Sequence, residues 1–309
     1  MRLRKGPTAL PGTGTTGRSD KKLVIIANAR SGVRRLGRAE RVLREHGVDY
    51  RIVRTTGPGH GIEAAREALR DGARYLVAAG GDGTVHEVVN AMLAEGIADA
   101  QLGVLPIGSG CDFVRTFGIP RDAAKAARRL TAGTVRVIDV GKVTFGTGAV
   151  RYFANIAEAG LGGAVVARAA RLPAALGQAR YLAALWLVLP GFHRAAVRLG
   201  GGQPAGQALN IVVANCRYYG GGMQISPESA PDDGMLDVLV ISGPKSAAVT
   251  TMPKIYLGRH LPHRYITSRR VSELRVEAEP SFVIEADGEV LGSTPATFGI
   301  IPGALRLIV

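Results

Sequence analysis

Cysteine is almost missing from this chain. Two stand in 309 residues, Cys111 and Cys216, with no metal-like spacing. A thiolate metal site is therefore not expected, and a reducing cytoplasm is the default compartment. Aromatic residues make up only 5%. Neither an aromatic-rich strand motif nor a helix-turn-helix pattern appears, which argues against a nucleic-acid reader. The longest near-continuous apolar run, Tyr181 to Pro190, falls well short of the roughly 20 residues that cross a bilayer. The first residues are basic but lead into Gly, Thr and Pro instead of an apolar core, so no secretory leader is expected. Negative charge is scarce as well: 25 Asp and Glu face 39 Lys and Arg, for a net charge of +14. A surface of that sign suits anionic partners such as nucleotide phosphates, an acidic membrane or nucleic acid.

What is present is ordinary globular material, 46% hydrophobic and 21% charged, enough for one large domain or two of common size. Residues 1–21 carry no periodicity and read as a disordered basic tail. From Lys22 onward short apolar strands alternate with helical stretches. Strands are expected at Leu23–Ala27, Tyr50–Arg54, Arg74–Ala79 and Gln101–Pro106, and helices at Arg38–His46, Ile62–Asp71, Val85–Leu93 and Ala123–Thr131. This alternation predicts an α/β layer with a mostly parallel sheet over residues 22–135. Beyond it the chain becomes β-rich. Val137–Val143, Tyr152–Ile156, Ala208–Ala214, Leu236–Ile241, Leu274–Ala278, Ser281–Glu285 and Ala304–Val309 read as strands. One helix of about Val165–Leu189 interrupts them, and Lys245–Leu257 is a second candidate. A mainly β, sandwich-like domain over residues 136–309 is expected.

The most informative stretch is Gly80-Gly81-Asp82-Gly83-Thr84-Val85-His86-Glu87-Val88-Val89-Asn90. A strand runs into glycines and an aspartate, then into a helix whose Thr84 and Glu87 match a capping box. Such a turn sets backbone N–H groups beside a strand's carboxyl end, where α/β sheets bind phosphates. A tight turn with purely capping acids is the alternative. Asn28-Ala29-Arg30-Ser31-Gly32 and Leu105-Pro106-Ile107-Gly108-Ser109-Gly110-Cys111-Asp112-Phe113 place two further small-residue turns after successive strands. Together the three resemble a nucleotide-phosphate site. None is a P-loop, and none carries G-x-G-x-x-G after the first strand.

Gly80–Asn90, taken with Pro106–Arg115, resembles the diacylglycerol kinase catalytic domain family, which includes bacterial lipid kinases and sphingosine kinases. The likeness extends through Asn215–Met223, a Gly-rich segment, through Ser226–Val238, an acidic turn, and through Glu285-Ala286-Asp287-Gly288-Glu289. It implies phosphoryl transfer from ATP to a lipid hydroxyl with Mg²⁺, giving phosphatidic acid from diacylglycerol or an analogue from a related neutral lipid. Carried over by position, Asn28, Ser31, Gly32, Thr56, Gly81, Asp82, Gly83, Thr84, Glu87, Ser109 and Glu289 are implied to contact the nucleotide. Asp82 and Asp112 are implied to hold the Mg²⁺ and its water. Asp287 is implied to be the general base; an ordinary aspartate is ionised at neutral pH and can accept a hydroxyl proton. On the residues alone it also reads as a solvated Asp-Gly hairpin turn. The acidic turn is implied to be a structural Mg²⁺ site built from the Asp233 carboxylate and the carbonyls of Ala230 and Met235.

Three departures from the family pattern matter. Cys111 stands where the family usually has Asn, which bears on nucleotide affinity; Ser109 replaces Thr; and His86 replaces a frequent Asn and reads as a helix-surface residue. On the lipid side, Arg180–Leu189 reads as a core helix or as the lining of an acyl-chain entrance, flanked by Arg168, Arg171, Arg194 and Arg198 that suit anionic headgroups. The expected partners are a neutral lipid and an anionic inner-membrane surface met from the cytoplasm, with a homo-oligomer left open. The alternatives are an NAD kinase-like enzyme, which shares Gly80–Thr84, and a non-catalytic relative that binds nucleotide or nucleic acid.

Overall fold

The computed structural model describes residues 22–29, 32–200 and 203–309. The basic segment 1–21 and Ser31 lie outside the described residues. The first half runs β1 (Leu23–Asn28), α1 (Val33–Glu45), β2 (Tyr50–Thr55), α2 (His60–Arg70), β3 (Tyr75–Gly80), α3 (Asp82–Glu95), β4 (Gln101–Pro106), α4 (Phe113–Thr116) and α5 (Ala123–Ala132). The second half runs β5 (Val135–Phe145), β6 (Val150–Phe153), β7 (Ile156–Gly160), α6 (Leu161–Ala169), α7 (Ala179–Val188), β8 (Ala195–Leu199), β9 (Gln203–Ala208), β10 (Asn210–Ala214), β11 (Leu236–Ile241), α8 (Lys245–Tyr256), β12 (Ile266–Val271), β13 (Glu273–Glu279), β14 (Val283–Ala286), β15 (Glu289–Ser293) and β16 (Ala296–Ile308).

Strands β2, β1, β3 and β4 pair in parallel in that order. The near-continuous burial of β1, β3 and β4 is what a sheet covered on both faces demands, while the edge strand β2 is mostly part-exposed. Helix α1 shows why such helices form: Leu36, Ala39, Val42 and Leu43 fall on one face and are buried. It pairs with α5, and α2 pairs with α3. The N-terminus of α5 is closed by Asp122, whose side chain accepts from Lys125 N at 2.9 Å.

The last strand is the hinge of the architecture. The end of β16 lies parallel to β4, and its beginning runs antiparallel to β13. The parallel sheet thus continues into β13, β8 and β9, with β5 and β6 branching from β16, to give ten strands. A second sheet, β12-β11-β10-β7-β14-β15, is antiparallel throughout. Residues from both sheets, among them Phe153, Phe298, Ile211 and Val238, share one apolar cluster. The fold is therefore an α/β N-terminal domain and a β-sandwich C-terminal domain.

Several elements differ from the sequence expectation. The single helix foreseen over Val165–Leu189 is broken into α6, a short turn at Ala174–Leu176 and α7. Pro173 and Gly177, the latter at φ 53°, interrupt it. The strand foreseen over Tyr152–Ile156 is two strands separated at Ala154 and Asn155, a break that the active site uses. Helix α1 begins five positions before Arg38, since the Gly37 in its first turns hides an otherwise helical pattern.

Leu307 is fully buried among N-terminal core residues although it sits at the other end of the chain. Leu307→Ala should therefore destabilise the whole protein by about 2–5 kcal/mol in urea melts followed by circular dichroism. A loss below about 1 kcal/mol would mean that β16 is dispensable to the N-terminal core.

Candidate active site

The carboxyl ends of β1, β3 and β4 lead into the three small-residue turns, and the second and third are in backbone contact. Gly108 N donates to Gly80 O at 3.0 Å. A β-carbon on Gly108 would lie 2.6 Å from Gly81 N, and one on Gly81 would lie 2.9 Å from Gly110 O. Glycine is required at both positions because the chains touch. Helix α3 begins directly at Asp82, without the foreseen capping box: no side chain caps it. Glu87 instead reaches outward, and its Oε1 accepts the Gly59 N–H at 2.7 Å. That bond fixes the loop carrying Thr56, whose N–H donates to His60 Nδ1 at 2.9 Å.

Asp82 clamps the third turn to the second. Its Oδ1 accepts from Asp112 N at 2.9 Å and from Phe113 N at 3.0 Å. Burial, and then the charge of Asp112, push its carboxyl up to about 6 despite those donors. Asp112 is itself buried. Its Oδ1 accepts from Arg115 Nε at 3.0 Å and its Oδ2 from Gly221 N at 2.6 Å, which ties the Gly-rich segment of the second domain to the first. Cys111, between these acids, turns away from the site. Its Sγ is buried and donates toward Gly80 O at 3.6 Å, so it does not present itself to a nucleotide as the sequence comparison with Asn suggested.

Asp287 is where the domains meet. With Gly288 it forms the two-residue hairpin between β14 and β15, as the Asp-Gly signal allows. It is the single non-glycine residue with positive φ, 52°, among the described residues. The turn is not solvated: the Asp287 side chain is only 4% exposed. Its Oδ1 accepts from Asn155 N at 3.0 Å and Ile156 N at 3.2 Å. Its Oδ2 accepts from Ala154 N at 3.0 Å and pairs with His86 Nδ1 at 3.2 Å. The gap between β6 and β7 thus exists to turn three successive N–H groups onto one carboxylate. His86 is therefore not on the helix surface, as expected, but 6% exposed and packed onto the candidate base. Asn90, one turn later, hydrogen-bonds to the His86 ring and carbonyl and to both main-chain groups of Tyr152.

Of the other foreseen residues, Gly32 sits against Ile107, so the 28–32 and 107–110 turns are neighbours, and Asn28 ends β1 beside Thr55. Ser109 is exposed at the rim. The Glu289 carboxylate lies 3.3 Å from where a Gly83 β-carbon would be, over the start of α3 and Thr84, and burial raises its pKa. The acidic turn is elsewhere. Asp233 accepts from the Arg270 guanidinium and from Met235 N at 2.9 Å, and the turn is anchored to buried Asp139 through Gly234 N at 2.7 Å. A guanidinium stands on the carboxylate that was expected to hold a structural Mg²⁺.

Sequence reasoning passed over Asn155, Arg35 and Arg121. Arg35 donates to Gly108 O at 3.3 Å and Arg121 to Ser109 O at 3.1 Å, which puts two guanidiniums on the third turn. The buried Asn155 side-chain oxygen has no partner, although its amide donates to Tyr218 O at 2.8 Å. No periodicity or motif signals these roles, because each depends on contacts distant in sequence. Among the described residues no group of three or more Asp, Glu, His or Cys could hold a metal ion by itself.

Comparison with known proteins gives the family. Residues 22–143 match the diacylglycerol kinase catalytic domain, and residues 155–309 match the YegS C-terminal NAD kinase beta sandwich-like domain. The chain belongs to this lipid-kinase family. A Pseudomonas aeruginosa relative named "Probable lipid kinase YegS-like" is 34% identical over 291 residues, 93% of this chain and 94% of that one. A Bacillus subtilis relative named diacylglycerol kinase is 31% identical over 287 residues, 90% of this chain and 93% of its own. A crystal structure of a diacylglycerol kinase from Bacillus anthracis shares the fold, with TM-score 0.71 and 23% identity, covering 93% of this chain and 96% of that one.

Both thiols are buried, and burial pushes the Cys111 thiol up to about 12 and that of Cys216 higher still. The native enzyme should therefore be silent to DTNB at pH 8 and should release two equivalents of thionitrobenzoate only after denaturation. A fast-reacting equivalent in the native state would place Cys111 in the site after all.

Proposed function

We propose that this enzyme transfers the γ-phosphoryl group of ATP, with Mg²⁺, to the free hydroxyl of diacylglycerol or a related neutral lipid, giving phosphatidic acid or its analogue. Residues 22–135 would serve the nucleotide and residues 136–309 the lipid. The observation that carries the reading is Asp287: a buried carboxylate held at the seam between the phosphate-type turns of one domain and the β6–β7 break of the other.

The nucleotide phosphates suit the backbone amides of the Gly81–Thr84 and Gly108–Gly110 turns. Thr56 and Asn28 stand on adjacent strand ends, and Arg35 and Arg121 stiffen the rim. Asp82, Asp112 and the unpartnered Asn155 oxygen are hard oxygen donors that fit Mg²⁺, with triphosphate oxygens and water completing the shell. When bound, that ion supplies positive charge against the charge developing on the phosphoryl oxygens. Asp287 takes the proton of the attacking hydroxyl. Its four acceptor positions already have four donors, so the substrate hydroxyl must displace one of them. Three are main-chain N–H groups; His86 alone is a side chain that can swing away.

The lipid side lies by α7. Its first turn covers the site: Tyr181 Oη is 3.8 Å from the β-carbon position of Gly288, and Gln178 is 3.5 Å from those of Gly110 and Gly221. Further along, Leu182 is 52%, Trp186 54% and Leu187 55% exposed. Leu189 is buried and Leu185 packs with Leu161 and Leu209, so only part of the foreseen apolar helix faces the surface. Arg168, Arg171 and Arg194 are exposed. This apolar ridge with flanking arginines fits peripheral contact with an anionic membrane on its cytoplasmic side. No helix among the described residues is long and apolar enough to cross a membrane.

The deciding assay offers labelled γ-phosphate from ATP and Mg²⁺ to diacylglycerol, ceramide, sphingosine and NAD in turn. Label is expected in phosphatidic acid, with Asp287→Asn lowering kcat at least about a hundredfold in a protein that still unfolds cooperatively, at a lower melting temperature. Label in NADP instead, or an active Asp287→Asn variant, would overturn the reading. Separately, Leu182→Ser with Trp186→Ser should weaken binding to phosphatidylserine-containing liposomes at least about tenfold while ATP affinity is unchanged. Undiminished sedimentation with the liposomes would remove α7 from the membrane contact.

A further inference from the structure

Two residues before Asp287, β14 carries Glu285, and the pairing of β14 with β7 sets it opposite Glu158. Their neighbours Ile284, Ala286, Ala157 and Ala159 face the sandwich core. By the two-residue period of a strand, both glutamates face the other side of the sheet, where α6 packs on β7, β14 and β15. Each is 3% exposed, and as directly opposed residues of paired strands their side chains are neighbours on that face. Glu285 Oε2 accepts the Gly288 N–H at 2.9 Å. Glu158 Oε1 accepts from Asn210 Nδ2 at 2.7 Å. Asn210 Oδ1 accepts the Gly162 N–H at 3.1 Å in the first turn of α6. There a β-carbon on Gly162 would overlap the Glu158 carboxyl.

The titratable groups facing this pair are Asp287 from the hairpin and Tyr219 from the segment after β10. Among the described residues no Lys, Arg or His hydrogen-bonds or ion-pairs with either carboxyl. Two buried carboxyls side by side without a cation cannot both carry charge. The hairpin above depends on them geometrically. Asp287 and Gly288 hold φ of 52° and 89°, and the pairing of β14 with β15 shifts register between Ile284 and Glu285. Glu285 is therefore the residue at which the placement of the turn is set.

We propose that Glu158 and Glu285 keep their protons in the folded protein and act as the positioning pair for the Asp287-Gly288 turn, Glu285 anchoring Gly288 and Glu158 tying that anchor to α6. The proposal rests on the reading of Asp287 as the base. It also gives the turn a link to the lipid side, since α6 packs against α7. Burial pushes Glu158 up to about 7 and Glu285 well above the carboxylate range, so negative charge enters the pair, beside Asp287, as the pH rises past neutrality.

The test uses Glu285→Ala, Glu285→Gln and Glu158→Gln in the full chain, with two readouts. In the phosphoryl-transfer assay, Glu285→Ala should lose at least about tenfold in kcat with KM for ATP unchanged, and Glu285→Gln, which keeps an acceptor oxygen for Gly288, should recover most of that loss. Wild-type kcat should fall above about pH 7, and Glu158→Gln should flatten that limb. In thermal melts, the unfolded glutamates release their protons near pH 4.5 while the folded pair keeps them to about 7. Wild type should therefore lose stability relative to Glu158→Gln as pH rises between those values, by a few °C, and then level off. A melting difference that does not vary with pH would overturn the retained protons. Equal kcat in wild type and Glu285→Ala, or a Glu285→Gln variant no better than Glu285→Ala, would overturn the positioning role. A wild-type protein inactive on every acceptor would count against the kinase reading, and the melting arm would then decide the pair on its own.

Discussion

One buried anion organises this molecule. The carboxylate of Asp287 sits where water is excluded, and a charge placed there must have its hydrogen bonds met or it costs several kcal/mol. Three of its donors are consecutive main-chain N–H groups, Ala154 to Ile156, which can converge only because the chain breaks between β6 and β7. The fourth, His86, comes from α3 in the other domain. Satisfying that one group therefore fixes a strand break, a hairpin with positive φ and the approach of α3 to β6. Fold and site are the same constraint seen from two ends.

Much of this was legible in the sequence where the signal is local. The four parallel strands fall within one residue of their expected spans because each is a short apolar run closed by glycine or proline, and β4 matches at both ends. The Asp-Gly hairpin was readable too, since few other pairs adopt positive φ twice in succession. What failed was whatever depends on a distant partner. β12 has four exposed residues in six, so as an edge strand it shows no alternation. β8 does alternate, with Ala195, Val197 and Leu199 inward, but over too few residues to stand out. His86 looked like a solvated helix position because nothing in its neighbours announces a carboxylate 201 positions later.

In the acidic turn arginines stand on the carboxylates where the resemblance implies a metal ion. Its residues occupy the foreseen place and its backbone is tightly held, with Asp139 accepting from Gly234 and Gly303 at 2.7 and 2.8 Å. What neutralises it here is arginine: Arg270 on Asp233, reaching Asp237 as well, and Arg136 on Asp232. In a chain with 39 basic residues, a guanidinium is at hand where another sequence would need a cation. A planar, permanently charged fork also matches a carboxylate without the dehydration that Mg²⁺ resists.

The same seam holds its other acids by three different physical means, and the differences divide the work among them. Asp287 is held by main-chain N–H donors and His86. Asp112 has an arginine and the Gly221 amide, and through the latter it joins the two domains. Asp82 has donors but also two acidic neighbours, which leaves it the carboxylate with most to gain from an incoming positive charge. Glu158 and Glu285 have neither arginine nor metal, only each other and a few neutral polar groups, so a proton must do for them what a cation does elsewhere. A proton is the one counter-charge whose supply changes with pH. Placing it beneath the Asp287-Gly288 hairpin makes that hairpin sensitive to pH, as Asp82, pushed up to about 6, makes the clamp between the second and third turns.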